Sequence, residues 1–158
     1  MYKSPSTLSE SARGTVAASL NDRLLDGLDL HGQIKVAHWN IKGPMFASLH
    51  PLFEQFAIGL AAFNDTIAER AVTLGLQVKG TARQVAASSR IPEYPVSAVR
   101  DMDHMAHLAD RFEQYLEGVR ETRRVAEQNG DTDSVDLMTQ VVTEFEKNAW
   151  FLRASLER

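Results

Sequence analysis

The stretch VAHWNIKGPMFASLHPLFEQ, residues 36–55, carries two of the chain's five histidines, His38 and His50, on either side of Gly43-Pro44. A Gly-Pro pair hardly lies inside one continuous helix, so the two imidazoles flank a bend between helices. A carboxylate, Glu54, follows His50 by one helical turn.

Helical spacing extends outward from this bend. Upstream, Val16, Leu20, Leu24, Leu28, His31, Lys35 and His38 recur at steps of three or four. Ser9 is placed to cap that helix, while Gly14, Gly27 and Gly32 weaken it locally. Downstream, the pattern runs from about Phe46 to Gly75, with Pro51 in the first turns, where a missing N–H costs least. Residues 76–97 read as a long connection with a short helix around Ala82–Ala87. A third long helix is expected from Val96 to the stop at Asn129-Gly130, and a fourth from Asp131 onward with an acidic start. Four long helices and nothing strand-like predict an all-α four-helix bundle. The connection between the second and third helices is too long for a hairpin, so it predicts a crossover, the connectivity of ferritin-like bundles.

Composition sets outer bounds. A chain of 158 residues reads as one domain, 1–158, with a core of its own, and residues 1–8 are expected to be a flexible tail. It has no cysteine, which rules out disulfides, thiolate metal sites and a cysteine nucleophile. A net charge of -4 provides no global attraction to nucleic acid. No apolar run reaches the roughly 20 residues of a membrane span, and MYKSPSTLSESARG lacks the apolar segment of a secretory signal. A cytoplasmic protein is the expectation.

The second helix has two apolar sides. With His50 at 0°, Glu54 falls at about 40°, Asp65 at about 60° and Glu69 at about 100°. Ala57, Ile58, Ala61, Ala68 and Val72 share that stripe, while Phe53, Phe56, Leu60 and Ile67 supply a core on the other side. Glu54 and Asp65 are roughly 16 Å apart along the axis, too far to hold one ion within a chain. The midpoint of His50 and Glu69 coincides with that of Glu54 and Asp65, next to Gly59. An isologous two-fold crossing there brings His50 and Glu54 of one subunit to Asp65 and Glu69 of its mate. Buried carboxylates need a counter-charge, and mixed imidazole and carboxylate donors without sulfur suit iron, zinc or manganese. His38 is placed to join them across the bend. Solvated helix charges and two ordinary histidines are the alternative open at this point.

The chain resembles a known family. AHWNIKGPMFASLHPLFEQ followed by NDTIAERAVTLG is similar to the Dps family, the DNA-binding proteins from starved cells, or mini-ferritins. The likeness runs from about residue 20 to the end. It includes an HWN triplet, a second histidine twelve residues after the first, and D-x-x-x-E-R. The resemblance implies that His38, His50 and Glu54 of one subunit, with Asp65 and Glu69 of its partner, are ferroxidase ligands. Glu54 departs from the family's frequent Asp by one methylene. Trp39 matches a tryptophan beside the site, and Lys35 a lysine close to the ligand acid.

The same resemblance implies a hollow dodecamer built from two-fold dimers. Fe(II) is oxidised to Fe(III) at each dimer interface, preferably by hydrogen peroxide rather than dioxygen, and stored as ferric oxide, with zinc or manganese as competitors. It also places a negative three-fold pore near AEQNGDTDSVDLMTQ, matched here by Asp131 and Asp136. Helix capping explains one or two of those acids without a pore. A different di-iron bundle is disfavoured, because the chain contains no Glu-x-x-His.

The remaining features read more plainly. His104 and His107 lie near Asp101, Asp103 and Asp110, a candidate secondary metal site for which a solvated polar face is the preferred reading. His31 is expected to be a packing or surface residue, and Trp150 and Phe151 core or interface aromatics. Lys3 and Arg13 are the sole cations of residues 1–14. Nucleoid association by weak, non-specific DNA binding is therefore the most the sequence offers.

Overall fold

A computed structural model describes residues 3–157, and these residues are helical apart from turns and one connection. α1 (Glu10–Asn40) and α2 (Phe46–Thr73) form one antiparallel pair, and α4 (Asp101–Gln128) and α5 (Thr132–Leu156) form another. α1 packs on α4 and α2 on α5, which closes the bundle. The crossover of residues 74–100 carries α3 (Ala82–Ser88) across α1. The predicted bundle and crossover are present, and no strand occurs among the described residues. No helix among them is long and apolar enough to cross a membrane.

Local chemistry sets the ends. Ser9 caps α1 by accepting the Ala12 N–H at 3.2 Å. α1 runs unbroken through three glycines because packing outweighs their intrinsic cost. At Gly27 the missing side chain admits Asn64, whose Oδ1 would lie 2.1 Å from a Cβ there. Edge-to-face rings join three helices at the centre. Phe56 meets Phe112 at 5.3 Å, Phe112 meets Phe145 at 5.2 Å, and Phe145 meets Tyr115 at 5.4 Å.

Several expectations change. Residues 96–100 lie outside the third long helix, which starts at Asp101. The Asp101 N–H donates to Lys42 O and the Lys42 N–H to Val99 O, so this stretch pairs with the α1–α2 turn. Part of the expected tail is docked: Ser4 Oγ donates to Thr73 O at 2.6 Å, and Leu8 packs against the core. Residues 1 and 2 of that tail lie outside the described residues. Trp150 and Phe151 are exposed, in edge-to-face contact with each other, so neither belongs to the core.

His104 is fully buried, with Nδ1 2.7 Å from the Tyr94 hydroxyl, so it is not part of a solvated face. Burial pushes its pKa down, and the unfolded chain therefore takes up a proton there more readily than the folded one. The resulting stability is full above about pH 6.5 and is lost as pH falls through that value. Urea melts of His104→Gln are expected to show a flatter pH dependence than wild type between about pH 6.5 and 5. An unchanged slope would count against this role.

Candidate metal centre

The α1–α2 turn brings His38 and His50 into contact. Their rings stack at 3.8 Å, with Phe46 5.0 Å beyond His50. His38 Nδ1 lies 2.8 Å from His50 O, and His50 Nδ1 lies 2.9 Å from His38 O. A carbonyl oxygen only accepts, so each Nδ1 carries a proton and donates it. In the neutral ring each Nε2 then carries the lone pair, the tautomer a metal requires, fixed by a partner behind the ring.

His38 Nε2 lies 3.5 Å from Glu54 Oε2. A lone pair and an anionic oxygen this close repel unless a cation, proton or metal, sits with them. Lys35 already bonds the same carboxylate oxygen and holds the Glu54 carboxyl below the usual range, against a smaller opposing effect of burial. The Lys35 ammonium also lies 5.8 Å from the Trp39 ring centroid, and that ring is exposed. One chain thus brings together His38, His50, Glu54, Lys35 and Trp39.

Asp65 and Glu69 do not join them. Both are exposed further along α2, and among the described residues no three His, Asp or Glu side chains of one chain are grouped to hold a metal ion. The apolar residues beside them divide. Ala57 turns into the core, while Ile58 and Val72 are 62% and 46% exposed. A helix with large apolar side chains on an uncovered face, beside unpaired acids, is the surface a two-fold contact needs. Arg70 supplies no counter-charge there, because it is bound to the start of α5.

The acids at that start have distinct jobs. Asp131 is 2% exposed and caps α5, accepting from Ser134 N at 3.1 Å, Ser134 Oγ at 2.6 Å and Arg70 Nη2 at 2.5 Å. The capping alternative therefore accounts for it, and its charge is already balanced. Asp136 is exposed and, among the described residues, accepts only from Gln140 Nε2, at 2.7 Å.

His31 is half-buried, in keeping with a packing or surface residue. It lines a cleft of about 360 Å³ with Asp65, Asn64 and Ala61, on the face that carries the open stripe. Burial, assisted by Lys35, pushes its imidazole pKa down. Among the described residues His104 and His107 belong to no metal-holding group, and His104 is turned to Tyr94 inside the protein.

Comparison with known proteins places this geometry. A family model described as a ferritin-like domain matches residues 17–158. A DNA protection during starvation protein of Agrobacterium fabrum is 32% identical over 156 residues, covering 99% of this chain and 96% of that one. The tetragonal form of Mycobacterium smegmatis Dps superposes with a TM-score of 0.94 at 30% identity, covering 99% of this chain and 96% of that one. A Vibrio cholerae O1 Dps protein gives 0.91 at 26% identity over 99% of each chain. That protein is described as a member of a broad superfamily of ferritin-like diiron-carboxylate proteins. The bundle is of the ferritin-like class. Within that class, the chain belongs to the Dps family.

The capping role of Asp131 is measurable. Asp131→Ala is expected to cost about 1–2 kcal/mol in urea unfolding, whereas Asp136→Ala should stay within about 0.5 kcal/mol of wild type. Equal losses would contradict the assignment.

Proposed function

We propose that this protein oxidises Fe(II) at sites shared between two chains and stores the ferric product as oxide inside a hollow dodecamer, limiting oxidative damage. The observation that carries the reading is the locked pair His38–His50. Both rings are held by Nδ1, and the Nε2 of His38 lies beside Glu54.

Asp65 and Glu69 of the partner subunit complete the ligand set in this reading. Their positions on α2 are the mirror of His50 and Glu54 about Gly59, and they stand without a cationic partner among the described residues. The donor set of imidazole and carboxylate suits Fe(II), with zinc or manganese as competitors. Lys35 holds Glu54 ionised before metal arrives, and Trp39 stands beside the site. Iron is substrate here. A pair of Fe(II) ions each gives one electron to hydrogen peroxide, the O–O bond breaks, and both oxygens end in ferric oxyhydroxide or water while protons leave to solvent. No hydroxyl radical need be released. Dioxygen is the slower oxidant in this reading. In this reading exposed Asp136, with Asp131 five residues before it at the start of α5, draws cations toward a pore.

Mixed assemblies test the shared site. His50→Ala and Asp65→Ala proteins are each expected to lose rapid ferric absorbance after anaerobic Fe(II) loading and a peroxide pulse. Co-assembled chains of the two variants should regain about half the sites per mixed dimer, because one of the two sites at its interface is then intact. No recovery on mixing would rule out an intersubunit site.

Nucleic-acid binding is proposed only as weak and non-specific. The described N-terminal segment offers Lys3 and Arg13, and Arg13 is already engaged with Leu74 O at 3.2 Å. Gel retardation of linear DNA should vanish as salt approaches physiological strength. Retention above it would show a stronger surface than this one.

A further inference from the structure

α2 begins without a cap of its own. Met45 occupies the N-cap position with no side-chain hydrogen bond, and the first turn contains no acid. Unpaired N–H groups and partial positive charge gather at such an end, where a carboxylate is stabilising. The carboxylate comes from 56 residues away: Asp101 Oδ2 accepts the Met45 N–H at 2.9 Å.

The grip has three further parts. The Asp101 N–H donates to Lys42 O at 2.9 Å, and the Lys42 N–H donates to Val99 O at 3.1 Å. Asp101 Oδ1 accepts the Met102 N–H at 2.9 Å. Gly43, at φ 145°, presents a bare Cα to the carboxylate, and a Cβ there would fall 2.3 Å from Asp101 Oδ2. The Gly-Pro bend is therefore shaped to receive this side chain, which is 4% exposed. Hydrogen bonds from Met45 and Met102 hold its carboxyl below the usual range, so it is anionic at neutral pH.

Its consequence reaches the imidazoles. His38 lies four residues before Lys42 and His50 five after Met45, so the gripped segment is the span that joins them. We propose that Asp101 is a positioning residue for the metal centre: by clamping the Lys42–Met45 backbone, it fixes the angle at which α2 leaves α1, and with it the register of His38 against His50. The role at the metal rests on the function proposed above, whereas the effect on the rings does not.

Co(II), whose visible spectrum reports its ligands, is the probe. Asp101→Ala that assembles as wild type is expected to raise the Co(II) dissociation constant about 10–100-fold, the range for loss of a group that supports a ligand. Metal-free crystals should show the rings moved from their 3.8 Å stack. Asp101→Asn, which keeps an acceptor for Met45 without charge, should fall between, and it carries the test if the alanine variant does not fold. Val141→Ala, a core truncation in α5, should lower the melting temperature and leave Co(II) affinity unchanged, which separates positioning from general stability. Both histidine bonds intact in the Asp101 variants, with affinity within about twofold of wild type, would overturn the proposal. Wild-type Co(II) binding that ignores His50→Ala would remove the metal-site reading instead. Ring geometry in the metal-free variants would then decide the role of Asp101.

Discussion

The exchange of hydrogen bonds between His38 and His50 closes the bend between α1 and α2. Each ring donates to the other residue's carbonyl. The His38 carbonyl lies in the last turn of α1, where acceptors lack an intrahelical donor, while the His50 carbonyl, inside the start of α2, takes the ring N–H as an additional bond. The exchange therefore meets a backbone need and sets both imidazole tautomers together. Antiparallel packing then continues the match: Lys35 falls opposite Glu54, and His31 sits near Ala61 and Asp65.

Charge on α2 is distributed by competition between faces. Arg70 is the one lysine or arginine of the helix, and it is drawn to Asp131 and Ser134 on α5, where burial makes the pairing strong. Asp65 and Glu69 are left without it. Lys35, from α1, satisfies Glu54 alone. One of the stripe's three acids thus meets a cation in its own chain and two await one from outside, beside exposed Ile58 and Val72. A monomer gains nothing from that arrangement, whereas a symmetric pair of chains has a use for all three.

Much of this was legible before any coordinates. Periodicity located the long helices because their apolar stripes are continuous, and Ser9 and Asn129-Gly130 mark two ends by local chemistry alone. The start of α4 was misread because 96–100 carry helix-compatible residues whose backbone is claimed by Lys42, a partner distant in sequence. His104 was misread for the same reason. Its neighbours in sequence are acids, but its neighbour in space is the Tyr94 hydroxyl. Asp131 caps α5 and carries a guanidinium from α2, a contact that no local pattern announces.

Spacing along the chain settled which residues share a stripe, because a helix converts sequence separation into angle without outside help. It settled the bundle and its crossover for the same reason. Folding in three dimensions chose the partners. Which acid receives Arg70, which ring nitrogen keeps its proton, and which carboxylate caps α2 depend on groups brought together from distant parts of the chain. Contacts between such groups carry no period, so the order of residues alone leaves them unwritten.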